Sequence, residues 1–170
     1  MTLEASAGIY SDLHNRIGLL ETAEDGIDWR DNPEISSPGD GVSLFFKNSE
    51  DDKNIEITSD IQSLDSETKV WDAFIRNQTQ SEVELTWSFP QKMDNDMVLR
   101  IMDINTRRVI DPNSVSSLSL GEVGSRYDRG LKIISGSESQ VAAKVAEILA
   151  LVPEKLSVDG NYPNPFNPTT

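Results

Sequence analysis

The strongest constraint on this chain is one run of strict alternation. Val83, Leu85, Trp87 and Phe89 are apolar, and Glu84, Thr86 and Ser88 between them are polar. Successive side chains of a strand point to opposite faces, so the run reads as a strand with one buried face. A helix would scatter those apolar groups around its circumference. The period recurs elsewhere: Val42, Leu44 and Phe46 alternate, and Ile55 and Ile57 flank Glu56. Residues 70–75, 97–102, 107–110, 114–120 and 131–134 add further short apolar runs. Asp103, Asn105 and Thr106 supply turn chemistry for a hairpin. Asn, Asp, Gly and Ser separate about eight such strands at roughly 8–15-residue spacing. The expectation is an all-β fold, an antiparallel β-sandwich of immunoglobulin-like or jelly-roll type, with Trp71 and Trp87 in its core.

Earlier in the chain the period is less clear. Leu13, Ile17 and Leu20 stand at helix-like spacing, interrupted by Gly18. Residues 21–34 hold six carboxylates and one Arg, and Pro33, Pro38, Gly39 and Gly41 mark a loop that Ile27 and Trp29 would pin to the domain. One helix is expected late. Val141, Val145, Ile148 or Leu149, and Val152 recur at helical spacing over about 139–152. Ser137 and Gln140 form a capping box, and Pro153 stops the run. The apolar stripe is expected to pack on the sandwich.

Composition excludes more than it identifies. The chain has 170 residues, 15 Lys+Arg, 29 Asp+Glu, one His and no Cys, for a net charge of −14. A length of this order is one domain. Without Cys there is no disulfide framework, thiol nucleophile or thiolate zinc site. Such an acidic chain argues against nucleic acid, whose binding rests on Lys and Arg displacing counterions. It argues equally against an anionic membrane surface, and no segment approaches the length of a membrane-spanning helix, so no membrane insertion is expected. The charge is concentrated in 21–34 and 49–67, which read as solvated loops.

Candidate chemistry is sparse. His14 is the sole imidazole, with only Asp12 close by in sequence, and no serine sits in a Gly-x-Ser-x-Gly elbow. The chain therefore reads as non-catalytic, with a hydrolase that pairs carboxylates as a lesser alternative. Asp25, Asp28 and Asp31 recur every third residue beside Gly26, a spacing that suits a structural Ca²⁺ in a loop. Asp94-Asn95-Asp96 is a second oxygen-rich turn. Trp29 and Tyr127, with Arg126, are the loop residues available to bind a polysaccharide. Asp128 beside them instead favours a salt-bridged turn.

The tail carries a resemblance. Asn161-Tyr162-Pro163-Asn164-Pro165-Phe166-Asn167-Pro168-Thr169-Thr170 is similar to the opening of the C-terminal sorting domain of type IX secretion cargo proteins. Its prolines bias the chain to extended conformations, with Tyr162 and Phe166 as linker anchors. The body resembles β-rich modules that precede such sorting domains, through Asp12-x-x-Asn15-x-x-Gly18, Trp71-x-Ala73-Phe74 and Leu85-x-Trp87. The resemblance implies export to the cell surface or medium. It implies neighbouring domains on the same polypeptide, and contact with the secretion machinery through a sorting domain that would follow Thr170.

The expected organisation is a domain edge at 1–6, a β-sandwich over 7–152 and an extended Pro/Asn-rich linker over 153–170. The expected function is a non-catalytic accessory or interaction module of an exported bacterial protein. The alternative is a carbohydrate-binding module with a structural Ca²⁺.

Overall fold

The computed structural model describes residues 1–35, 41–48, 55–65, 67–90, 96–124 and 126–152. Among them run β1 (Thr2–Ala7), β2 (Tyr10–Leu20), β3 (Asn32–Pro33), β4 (Val42–Lys47), β5 (Glu56–Ser63) and β6 (Lys69–Asn77). They are followed by β7 (Glu82–Ser88), β8 (Val98–Asp103), β9 (Arg108–Ile110), β10 (Ser117–Glu122), β11 (Arg129–Gly136) and α1 (Glu138–Leu151). The result is an all-β domain with two sheets and one C-terminal helix. The strands follow one hydrogen-bonded path, β10-β7-β1-β2-β5-β4-β6-β11-β8-β9, with β3 on β5; β10-β7-β1-β2 is termed the first sheet and β5-β4-β6-β11-β8-β9 the second. The hydrogen-bonded path is continuous, because β2 pairs with β1 and then with β5.

The alternation works as expected. On β7, Val83, Leu85 and Trp87 are buried while Glu82, Glu84 and Ser88 face solvent. On β6, Trp71, Ala73 and Ile75 enter the core, and on β4 Leu44 and Phe46 do the same. One cluster joins these to Leu3 and Ala5 of the first sheet and to Leu131, Ile133, Leu99 and Ile101 of the second. The Nε1–H of Trp87 donates to the carbonyl of Pro112 at 3.0 Å, which satisfies the one polar atom of a buried indole. The β8–β9 hairpin forms as read, with Arg107 in the left-handed region at its turn.

Three expectations need correction. Residues 1–6 are no edge: they are most of β1, an internal strand between β2 and β7, and Leu3 and Ala5 are fully buried. Their alternation was masked by small residues, since Ala5 and Ala7 bury little apolar area. The pairing is mixed rather than wholly antiparallel, because β2 of the first sheet runs parallel to β5 of the second. The spacing of Leu13, Ile17 and Leu20 belongs to a strand. A bulge places Leu13 and His14 opposite Glu4, with His14 at φ 73°, so the phase of the alternation slips. Asn15 and Ile17 are then buried, and Leu13 and Leu20 are exposed. The Asn15 side-chain amide is buried, and among the described residues Asp12 is the side chain that reaches it.

The helix begins where the capping box predicts. Ser137 Oγ accepts from the Gln140 N–H, and Gln140 Oε1 accepts from the Ser137 N–H. It lies against β11 and β8 on the face of the second sheet that points away from the core. There Val141 is buried, Val145, Ile148 and Leu149 are half-buried, and Leu151 is exposed. The stripe therefore packs at its start and opens toward its end.

Candidate functional site

The outward face of the second sheet carries the unusual chemistry. Phe45 of β4 and Phe74 of β6 stack there, with ring centroids 5.8 Å apart. The Lys47 ammonium lies 4.8 Å from the Phe74 ring and the Arg76 guanidinium 4.6 Å from that of Phe45. Arg76 is held by Glu56 at 2.7 Å and Asp128 at 3.0 Å. These cations roof an aromatic pair that would otherwise be an apolar patch. Asp128 is ion-paired, but to Arg76 of β6 rather than to an Arg of its own turn, and Arg129 pairs instead with Asp103.

Beyond the end of β4, side-chain hydrogen bonds join β5 to β6. The Trp71 Nε1–H donates to the Asp60 carbonyl at 3.1 Å, and the Gln62 amide donates to the Val70 carbonyl at 3.2 Å. This junction leaves a polar pocket of about 240 Å³ between β5, β6, the loop after β2 and Lys144 of α1. Asp60, Gln62, Thr68, Lys69 and Asp72 are among its walls.

Two buried charges in that pocket behave oppositely. Lys69 is 5% exposed, and its ammonium donates to Asp25 at 2.8 Å, Asp65 at 2.8 Å and Ser63 at 2.9 Å. Burial works against the Asp25 carboxylate, but the Lys69 ammonium and Ser63 outweigh it and hold its pKa below the ordinary range. The same ammonium holds Asp65 down at about 2. Lys69 itself is raised, its two carboxylates overcoming its burial. Asp60 has no such partner. It is 2% exposed, and among the described residues its carboxylate accepts one hydrogen bond, from the Gln62 amide at 3.4 Å. Burial first, then the negative charge of Asp31, pushes it up to about 7, with Asp72 and Asp25 adding to the shift.

That shift has a measurable sign. The folded pKa of Asp60 lies above its unfolded value, so the folded state retains the proton over the interval between them. Stability then falls as pH rises from about 4 to about 7 and is level beyond. Asp60→Asn is expected to flatten that part of the profile and raise stability at pH 8, as measured by urea unfolding at a series of pH values. Glu34, pushed to about 7 by burial and by the charges of Asp12 and Glu56, contributes the same sign, so Glu34→Gln is the companion variant. An unchanged profile in Asp60→Asn would contradict this assignment.

The acids spaced for calcium do not converge. Asp25 is engaged by Lys69, Asp28 accepts from Arg30 at 2.7 Å, and Asp31 accepts from the N–H groups of Asp28 and Ile61 at 2.8 and 3.0 Å. Among the described residues no group of three or more acidic or imidazole side chains is arranged to hold a metal. Spacing in a loop fixes which residues are acidic but not where the loop folds back, and here each carboxylate meets a donor of its own.

The other expected residues are placed as follows. Trp29 does not pin its loop: it is 83% exposed, with the Arg30 guanidinium 4.3 Å over its ring. Asp31, Asn32 and Ser59 do the pinning. Tyr127 and Arg126 are exposed in the loop before β11. His14 is exposed at the bulge. Asp94 and Asn95, Tyr162 and Phe166 lie outside the described residues.

Asp60 was the residue that sequence reasoning missed. It sits in a stretch read as solvated, and residues 56–63 instead form β5. The available signal was Ile57 and Ile61 on either side, too few apolar positions to mark a buried strand. The chain matches no known family model, no curated protein and no solved structure.

Proposed function

We propose that this chain is a non-catalytic accessory module of an exported, multidomain bacterial protein, built as an immunoglobulin-like or jelly-roll sandwich. The observation that carries the reading is the run Asn161–Thr170, with its three prolines, repeated asparagines and two aromatics. Its similarity to the start of a type IX sorting domain supplies an address at the cell surface or beyond. The role is to space, support or bind for neighbouring domains of the same polypeptide. The exposed position of His14 gives a hydrolase no support.

The test is localisation in the organism that encodes the chain. An epitope placed in the parent protein should be accessible to external antibody and protease in intact cells. Deleting residues 161–170 with whatever follows them should abolish that accessibility. A parent protein that remains inside intact cells would remove the basis of the proposal.

A carbohydrate-binding role is the second reading, favoured by one arrangement. Trp29 stands exposed with its indole held by Arg30, which is itself fixed by Asp28 at 2.7 Å and Thr22 at 2.8 Å. A pre-ordered, exposed ring loses little freedom on stacking against a sugar face. Tyr127 is the second exposed aromatic available to it.

A further inference from the structure

We propose that the pocket beside Asp60 is a binding site for a small, neutral, polyhydroxylated ligand, a single sugar ring or a molecule of that shape. The site is distinct from Trp29 and Tyr127, and the proposal stands whether or not the protein is exported.

Size comes first. At about 240 Å³ the pocket is smaller than the roughly 300–1,000 Å³ of drug-sized sites, so it suits one ring. Its walls then limit the chemistry. Asp25, Asp60, Glu67 and Asp72 oppose Lys47, Lys69 and Lys144. An anion would meet four carboxyl groups, and a cation three ammonium groups. The acids do not converge as metal ligands would. A wholly apolar ligand would strand polar walls without partners. What remains is a neutral molecule that both donates and accepts hydrogen bonds.

Asp60 is the group that such a ligand would satisfy. It is buried in a rigid strand, it has no ion pair among the described residues, and the bond from Gln62 is long. Most buried polar groups have better partners, and those without one call for an explanation. The residue cannot retreat to solvent, because its own backbone is tied to Trp71. A ligand hydroxyl would add a second, shorter hydrogen bond to the one from Gln62. Gln62 and Thr68 add an amide and a hydroxyl on the same pocket. The pKa of Asp60 agrees with this geometry: a carboxyl poised near neutrality can accept from a hydroxyl or donate to it.

The experiment uses the whole chain and a panel of glucose, galactose, mannose, xylose and N-acetylglucosamine. Backbone amide NMR spectra are recorded at pH 8 during titration to roughly 50 mM, a range that covers weak millimolar binding. The expected result is saturable shifts, for at least one sugar, in amides of 59–62 and 68–72. At that pH Asp60→Asn removes a charged hydrogen bond and should weaken binding at least tenfold. Thr68→Val in the pocket wall should weaken it as well, and Val109→Thr, on the exposed β9 away from both sites, should leave it unchanged. Absence of shifts across the panel overturns the proposal. So does binding that survives both pocket substitutions, or that is lost in Trp29→Ala alone, which would place the sugar on the exposed loop.

Discussion

Trp71→Ala should lower the unfolding free energy by about 3–5 kcal/mol, the range for deleting a buried aromatic side chain. Trp71 is 2% exposed and lies opposite Ile133 of β11. Its removal forfeits the transfer energy of the ring and leaves a cavity in a close-packed interior. It also removes the indole N–H that donates to the Asp60 carbonyl, a link between β6 and β5. Trp29→Ala is the contrast: the ring is exposed, and the change should stay within about 0.5 kcal/mol. Both are read from urea unfolding, with the slope constant so that the midpoint reports stability. A Trp71→Ala cost near that of Trp29→Ala would mean that Trp71 is not a core residue.

Arg129→Met should cost about 3–5 kcal/mol at neutral pH, because it strips the counterion from a buried carboxylate. Asp103 is 1% exposed, and Arg129 grips it through Nε at 3.0 Å and Nη2 at 2.6 Å. Burial alone would raise the Asp103 pKa, yet the guanidinium and Thr106 outweigh burial and hold it below the usual carboxylate range. The sign of its linkage is therefore opposite to that of Asp60. The stability it contributes is present above the unfolded pKa and is lost as pH falls through the lower folded value. The penalty of Arg129→Met should accordingly shrink on acidification, as Asp103 takes up a proton. Adding Asp103→Asn should recover part of the loss at pH 7, since the unpaired charge then disappears. A double variant no more stable than the single one would show that the cost of Arg129→Met is lost packing rather than an unpaired buried charge.

Much of the fold was legible because burial writes itself as alternation. β4, β6, β7, β8 and the helix all announce themselves through bulky apolar residues at the right period, and the capping box of α1 sets its first turn. The failures share a physical cause. On β1 the inward positions are Leu3, Ala5 and Ala7, and small side chains contrast weakly with their polar neighbours. On β2 the bulge at His14 changes the phase, and an inward position is filled by Asn15. On β5 the buried face includes Asp60 and Gln62, so the strand looks solvated. The aromatic pair Phe45–Phe74 and its cationic roof were invisible for another reason: they join residues whose adjacency exists only through strand register. Acid spacing in 25–31 misled for the same reason in reverse, since proximity in sequence did not become convergence in space.

The placement of β1 has a consequence for the order of events on the way to the native state. Its partner on one side, β2, follows after a two-residue turn, but on the other side Thr2 lies opposite Ser88 and Ala7 opposite Val83. A ribosome must therefore release β2 to β6 before β1 acquires its second neighbour. Until then the β1–β2 hairpin presents an open edge, and loop-closure entropy opposes the pairing that would cover it. Contacts of such long sequence separation slow folding. β1 thus waits for β7 to be secured, and delay in β7 leaves β1 exposed to foreign strands.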